Sequence, residues 1–346
     1  MLGEPFVHAS LAEIIGNFVG AWQFRSFERG IHTDTWRMHD DLLRWAEDCA
    51  AHASFHESPE KYAASEDPLV LQGRSLAEEV KRGFSNRHAS LQGVRILVHL
   101  PGADLSAGGY SVISNLVQSL NFLGIPVLPF SNGSLMREML ADFRPSVMLI
   151  GDFKPFLASV DWSAVKEYRR DNRLLLGLSA SLEEYGNSPL AERLSWAKEN
   201  RADFYFTFRS QGYVTTRKGY SPFFDSGYRI LSFEFGVNPL IYYPVPGLNR
   251  DLNFVFLASS NRDKLPRYIS FLGNILSRYP GFIDGPGWSR IKEFRFNAAR
   301  DRYLYARARV GINLHLEEQI EWACELNERT YMLAACGTPQ LVDNPK

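Results

Sequence analysis

The strongest constraint on the fold is an alternation that begins at Gly93, in which short apolar runs are separated by stretches with helical spacing. The first run, residues 94–100, lies between Gly93 and the Pro101-Gly102 pair, and the helical stretch behind it stops at Gly124. Apolar runs bounded by turn residues are typical of buried strands, and consecutive parallel strands need crossover helices. The pattern therefore predicts α/β units whose parallel sheets are covered on both faces.

Three zones are predicted along the chain. Residues 1–92 have the apolar spacing of helices and no strand-like run, so they are predicted to form a mainly helical extension. Residues 93–245 carry repeated strand and helix patterns, and residues 246–346 restart the alternation but hold only part of a second unit. Prolines within residues 239–246 favour a linker at this junction. The predicted fold is a pair of Rossmann-type α/β units behind a helical extension.

Composition narrows the class of protein. Hydrophobic residues make up 45% of the chain and charged residues 22%, as in folded globular proteins. The net charge of -1 means that any anion binding must come from local basic clusters. Three cysteines, Cys49, Cys324 and Cys336, are too few for a disulfide framework or a zinc cage and favour a reducing compartment. No run approaches the roughly 20 apolar residues of a membrane span, and the first residues lack a basic leader, so we expect a cytoplasmic location.

Two loops that follow predicted strands are candidates for ligand binding, because ligands of open α/β sheets bind beyond the carboxyl ends of the strands. Gly108-Gly109 opens a helix and lets a backbone approach a ligand, although a flexible turn would look the same. It does not match GxGxxG, which disfavours a nicotinamide or flavin site. The second loop carries Ser260, Arg262 and Lys264, small and cationic residues that suit a diphosphate; the alternative is a solvated basic loop.

A third candidate is the short helix predicted to begin at Asn327. Asn327 can cap this helix and leave free backbone N–H groups, and Gly337 is predicted to end it. Arg329 and Thr330 lie in the first turn, and a carboxylate such as Glu328 could hold a sugar or ribose hydroxyl. The alternative is a well-capped helix of the core.

Several kinds of chemistry find no support in the sequence. It contains no Ser-His-Asp order, HExxH, Walker loop or CxxC, so a nucleophilic triad or a metal-assisted hydrolase is not predicted. No RNP-like aromatic motif is present either, and nucleic acid is not an expected partner.

In the order of these pieces the chain resembles GT-B glycosyltransferases, more narrowly the group 1 enzymes and their CgeB-like relatives of the spore-maturation type. The resemblance covers roughly residues 93–346, and its most specific segment is the last of four: "GGYSVISNLVQSLNFLGIPV", "YRILSFEFGVNPLIYYP", "DLNFVFLASSNRDK" and "YARARVGINLHL…NERTYMLAACGTPQLVDN". Two positions depart from the family. Met332 stands where group 1 enzymes carry a donor-binding glutamate, and Cys324 stands at the paired position with Glu325 beside it. The donor-side unit is also expected to be truncated, because family members continue beyond the strand that precedes Lys346.

The resemblance implies a metal-independent hexosyltransferase that moves a sugar from a UDP- or GDP-linked donor to a glycan or lipid-linked acceptor, in cell-surface polysaccharide or glycan synthesis. It implies no cofactor, and a cytoplasmic location that can include the inner face of the membrane. Residues 93–245 would be the acceptor side, with Gly108 and Gly109 in the acceptor loop, and residues 246–346 the donor side. The donor-binding residues would be Ser260, Arg262, Lys264, Glu325, Asn327, Glu328, Arg329 and Thr330; no catalytic residue is assigned.

Two alternatives to the transferase stay open. One is a non-catalytic GT-B-fold module that serves as a scaffold or binding domain, and the other is a nucleotide-sugar epimerase of the same architecture. Residues 1–92 could contact a neighbouring domain or a partner protein.

Overall fold

The chain in the computed structural model folds into two compact units. Among the described residues, those within 68–244 and 317–335 form a unit with a six-stranded sheet, and those within 11–52, 245–315 and 336–343 form a unit with a four-stranded sheet. The structure describes residues 11–52, 68–91, 93–102, 106–131, 135–182, 188–238, 241–245, 247–260, 264–291, 294, 296–315, 317–321 and 326–343.

The strands are short, and all of them except β8 follow predicted apolar runs. In chain order they are β1 (Ile96–His99), β2 (Val127–Phe130), β3 (Val147–Gly151), β4 (Leu175–Ser179), β5 (Phe204–Thr207), β6 (Ile230–Ser232), β7 (Val255–Leu257), β8 (Phe282–Asp284), β9 (Gly311–Asn313) and β10 (Gln340–Val342).

The helices fill the intervals between the strands and precede the first of them. In chain order they are α1 (Leu11–Gly30), α2 (Thr33–Arg37), α3 (His39–His52), α4 (Pro68–Arg87), α5 (Ala107–Phe122), α6 (Met136–Phe143), α7 (Lys154–Leu157), α8 (Trp162–Asp171), α9 (Leu190–Glu199), α10 (Gln211–Thr215), α11 (Ser221–Asp225), α12 (Leu265–Arg267), α13 (Gly273–Arg278), α14 (Ala298–Arg307), α15 (Glu317–Glu321) and α16 (Glu328–Ala335). A π-helical turn, Tyr268–Leu272, joins α12 to α13.

Both sheets are parallel throughout, which confirms the predicted α/β class with two Rossmann-like units. The strand order is β2-β1-β3-β4-β5-β6 in the larger sheet and β10-β9-β7-β8 in the smaller. The first strand of each unit, β1 or β7, lies inside its sheet with the next two strands on either side. Parallel strands cannot be joined by tight hairpins, so the intervening helices must cross over the sheet faces.

The core of the six-stranded unit is apolar but encloses one ion pair. Strand side chains such as Leu97, Leu176 and Leu178 are fully buried. Helices cover both faces of a parallel sheet, so side chains are shielded from water on whichever face they lie. At the end of β3, the buried Asp152 carboxylate accepts hydrogen bonds from Arg193 Nη1 at 3.0 and 3.1 Å. Burial raises the pKa of Asp152 to about 6, even though Arg193 acts to lower it.

Of the helices in residues 1–92, α1 to α3 belong to the four-stranded unit and α4 belongs to the six-stranded unit. Phe24 and Ile31 of this segment are buried in the same apolar cluster as Leu272 and Trp288. Trp45 of α3 meets Tyr303 of α14 edge to face, with ring centroids 6.2 Å apart. Helices with one apolar face must bury it against some partner, and spacing alone does not reveal which one.

Polar contacts with the β8 region fix these helices further. The Glu28 carboxylate accepts a hydrogen bond from Ser289 N at 2.8 Å, and Thr35 Oγ1 accepts one from Gly281 N at 3.2 Å. His39 Nε2 lies 3.4 Å from Asp284 Oδ1. Burial alone would lower the pKa of His39, but its hydrogen bonds to Asp284 and a neighbouring aspartate raise the pKa above the usual value.

The division between the units falls between Pro244 and Val245, inside the segment predicted to be a linker. Residues 246–346, predicted as one donor-side unit, are divided between the two units. Residues 317–335 belong to the six-stranded unit, whereas β9 and β10 on either side of them pair in the four-stranded sheet. Among the described residues, none of the helices has the length and apolar character needed to span a bilayer.

Candidate functional site

The strand order of the four-stranded sheet creates a topological switch point between β7 and β9. The chain leaves β7 toward β8 on one side and returns to β9 on the other. Such reversals leave a crevice at the carboxyl ends of the two strands, where ligands of open α/β sheets bind. The residues that follow β7 and β9 are therefore the candidates for a ligand-binding site in this unit.

The loop that follows β7 brings two of the predicted residues to this edge. Ser260 is half-buried, and its N–H donates to Pro286 O at 2.8 Å, which holds the loop along the exit of β8. Lys264 is also half-buried, and its Nζ donates to Leu314 O at 3.3 Å, immediately after β9. The Lys264 ammonium thus lies at the carboxyl end of β9, as a residue that binds an anionic ligand should.

A second polar group at the same edge was not predicted. Asp343, after β10, lies 2.9 Å from His315 Nδ1 and accepts a hydrogen bond from Arg267 Nη1 at 2.7 Å. Arg267 Nη2 also donates to His315 O at 2.7 Å. Burial alone would raise the pKa of Asp343, but hydrogen bonds from the ring and backbone of His315 hold the pKa below its usual value. Lys264, Arg267 and Asp343 together carry one net positive charge, which suits a negatively charged ligand.

Two predicted donor-binding residues cannot be placed at this edge or elsewhere. Arg262 and Glu325 lie outside the described residues. Their assignment as donor ligands stays a prediction.

In the six-stranded unit, the Gly108-Gly109 pair forms the first turn of α5. Ser106 caps this helix, because its Oγ accepts a hydrogen bond from Gly109 N at 3.1 Å. A Cβ atom at position 109 would come within 2.7 Å of Ser106 Oγ, whereas one at position 108 would meet no atom within 4 Å. Gly109 is therefore needed for the cap itself, and Gly108, which is exposed, is the position open to an approaching ligand.

The short helix near the C-terminus starts and ends as predicted. Asn327 Oδ1 accepts hydrogen bonds from the N–H and hydroxyl of Thr330 at 3.1 and 3.2 Å, so the Thr330 hydroxyl is engaged in the cap. Met332 and Leu333 are buried and Ala334 is exposed, because consecutive residues of a helix point in different directions. Met332 cannot hold donor hydroxyls from this position.

Within the six-stranded unit, Glu328 at the start of α16 contacts α5, the helix that begins with the Gly108-Gly109 pair. Ser111 Oγ lies 3.1 Å from both oxygens of the Glu328 carboxylate and donates a hydrogen bond to them. Asn115 Nδ2 donates a second hydrogen bond to Glu328 Oε1. Ser111 and Asn115 lie on α5, just beyond Gly108. Burial raises the pKa of Glu328 to about 7, against the lowering effect of Ser111, Asn115 and the nearby Arg329. A carboxyl group that titrates near neutrality thus lies beside the predicted acceptor loop.

Replacing Gly337 with valine should destabilise the four-stranded unit. Gly337 has a φ of +66° at the end of α16, a left-handed conformation that β-branched residues adopt only with strain. We expect a loss of about 1–3 kcal/mol, measured by thermal unfolding. Gly337→Asn is the matched control, because asparagine tolerates this conformation and should lose much less. Equal losses in the two variants would contradict a backbone origin.

Comparison of the sequence with models of known families and with curated proteins finds no match. Across the part of the chain that the structure describes, no three His, Cys, Asp or Glu side chains gather closely enough to hold a metal ion. The function proposed below therefore rests on the side chains at the carboxyl end of the four-stranded sheet and on those near Gly108 in the six-stranded unit.

Proposed function

We propose that this protein is a glycosyltransferase that takes a sugar from a UDP- or GDP-linked donor and passes it to a glycan or lipid-linked acceptor in the cytoplasm. One observation carries the proposal: the switch point of the four-stranded sheet presents Lys264, beside the Ser260 loop, at the carboxyl end of β9. A fixed cation and a nearby backbone loop suit a diphosphate, whose negative charge grows as the sugar departs.

The role of each group follows from its surroundings. Lys264 would contact the diphosphate and stabilise the leaving group. Arg267 would add a fixed positive charge beside the diphosphate rather than bind it directly. Asp343 and the His315 carbonyl already accept hydrogen bonds from its guanidinium and hold it at the carboxyl edge of the sheet. Within the six-stranded unit, Glu328 would help to shape the acceptor-side loop through Ser111 rather than contact the donor.

Replacing Lys264 with methionine should weaken binding of the nucleotide sugar about tenfold or more, since one charge-assisted hydrogen bond contributes roughly 1.5–3 kcal/mol. Methionine keeps much of the aliphatic stem, so the fold should survive. Isothermal titration with UDP-glucose and GDP-mannose measures the effect. Arg309→Met is the matched control, because Arg309 precedes β9 at the opposite edge of the same sheet, where it contacts Arg250 O and Asn253. Unchanged affinity in the Lys264 variant would remove the diphosphate from this edge.

Turnover separates the transferase from the two alternatives. A transferase releases the nucleoside diphosphate and adds one sugar mass to an acceptor, whereas an epimerase changes the sugar without an acceptor. Binding without either product would favour the non-catalytic module. The buried Met332, in place of a donor-binding glutamate, is the observation that favours this module.

A further inference from the structure

An apolar groove lies on the four-stranded unit between α1 and the helical stretch from α12 to α13. Its volume is about 490 Å³, and its walls include Trp22, Phe27, Ile31, Leu265, Ile269 and Leu276. The floor is continuous with the core of the unit, since Ile31, Leu265 and Leu276 are buried there. We call this surface the α1 groove.

The rim of the α1 groove exposes large apolar side chains. Trp22 is 63% exposed and Ile269 is 51% exposed, and they belong to opposite walls. Contiguous exposed apolar surface of this kind marks an interaction site in a folded protein. Tryptophan in particular favours boundaries between water and an apolar phase, because its ring is apolar and its N–H is polar.

The charged side chains that α1 and α13 expose beside the α1 groove, among the described residues, are basic. Arg25 and Arg29 are exposed beside Trp22 on α1, and Arg278 is exposed at the end of α13. The acidic residue in residues 19–31 is Glu28, which is buried against Ser289; residues 264–279 contain no Asp or Glu. An apolar groove with a cationic rim is complementary to an amphiphile that has an apolar chain and an anionic head.

We propose that the α1 groove is a docking site for a membrane that contains anionic lipid. The membrane fits better than a second copy of this chain, because two copies joined through this face would oppose one arginine rim to another. Trp22 and Ile269 enter the interfacial layer, and the arginines contact lipid phosphates. The proposal does not depend on sugar transfer, because neither Lys264 nor Glu328 takes part.

Flotation with phospholipid vesicles tests the docking. The full chain should float with vesicles of equal parts phosphatidylcholine and phosphatidylglycerol, and not with phosphatidylcholine alone. Arg25→Gln with Arg29→Gln should weaken binding by about 25-fold, since each basic residue near an anionic surface contributes about fivefold. Trp22→Ser should weaken it about tenfold or more, as expected for an apolar side chain kept out of its preferred environment.

Val80→Ser is the matched control, because Val80 is 61% exposed on α4 of the six-stranded unit. It should float like the parent chain, and the thermal unfolding of all variants should agree, since the changed residues are exposed. Equal binding to both kinds of vesicle, or unchanged binding of both groove variants, would overturn the proposal. A dimer in sedimentation that Trp22→Ser dissociates would also overturn it and assign the α1 groove to a second copy.

Discussion

Replacing Arg193 with methionine should cost the six-stranded unit about 3–5 kcal/mol at pH 8, because it leaves a buried carboxylate without its cation. Asp152 and Arg193 are both buried, and Arg193 Nη1 donates to both carboxylate oxygens and to Ser181 O. Chemical unfolding followed by hydrogen exchange of peptides from β3 and α9 measures the loss in the unit concerned. The effect is large because water cannot replace the lost partner in a closed core.

The cost should shrink as the pH falls. The pKa of Asp152 in the folded chain is about 6, against a reference value of 3.8, so folded Asp152 holds its proton at pH values where the unfolded chain has lost it. Removing Arg193 raises this pKa further, which penalises the variant most where Asp152 is charged. Below pH 6 the parent and the variant both carry a neutral Asp152, and the difference between them narrows.

Two comparisons identify the buried charge as the cause. Arg137→Met removes the partner of Glu167 in an exposed pair of the same unit, and solvent screening leaves such pairs with little effect on stability. Asp152→Asn combined with Arg193→Met should recover much of the lost stability, because the stranded charge is gone. If the double variant were as unstable as Arg193→Met alone, lost packing of the arginine stem would be the better explanation.

The sequence predicted the sheets well because the signal for each strand was local. Runs such as residues 147–150 and 175–178 contain no polar side chain, which is typical of strands buried on both faces. Strand β8 was missed, since a three-residue strand between Gly281 and Gly285 is too short to show any periodicity. Local signals of this kind also place the cap at Asn327 and the stop at Gly337 correctly.

Contacts between distant segments could not be predicted in the same way. The docking of α3 near β8 depends on His39 and Asp284, which are far apart in the chain. Helical spacing shows that a segment has an apolar face, but many sheets would accept that face. The prediction of a helical extension over residues 1–92 therefore gave no sign that α1 to α3 pack in the four-stranded unit.

In the candidate site, too, residues with a local sequence signal were predicted and contacts between distant segments were not. Lys264 was predicted from its position after a strand, and the carboxyl-edge rule would also have selected His315 and Asp343 had it been applied to β9 and β10. The pairing of Glu328 with Ser111 could be found only from the fold, because it joins α5 to a segment more than two hundred residues later. An acidic run in the sequence gives no sign of which carboxylate will find a partner in the fold.

Replacing Glu328 with glutamine should remove a pH dependence from the stability of the six-stranded unit. The folded pKa of about 7 lies above the reference value of 4.5, so the folded chain keeps the Glu328 proton while the unfolded chain loses it. Stability contributed by this group therefore falls as the pH rises from 4.5 through 7, by about 3 kcal/mol in all at 1.36 kcal/mol per pKa unit. Glutamine is neutral at every pH and has no such slope.

The change preserves the local hydrogen bonds. The glutamine carbonyl can accept from Asn115 Nδ2, and its amide can donate to Ser111 Oγ, so the variant should match the parent at pH 5 and exceed it at pH 8. Hydrogen exchange of peptides from α5 and α16 at increasing urea, corrected for intrinsic exchange, measures the difference at each pH. Because the parent and the variant share Asp152, its titration cancels between them.

Glu317→Gln provides the matched control, since Glu317 is exposed at the start of α15 in the same segment. It removes one carboxylate and should leave the pH profile of the parent unchanged. A Glu328 variant with the parent's slope between pH 5 and 7 would mean that the carboxyl group is ionised throughout that range and well solvated. The buried contact with Ser111 would then not persist in solution, and the acceptor-side loop near Gly108 would lose its proposed support.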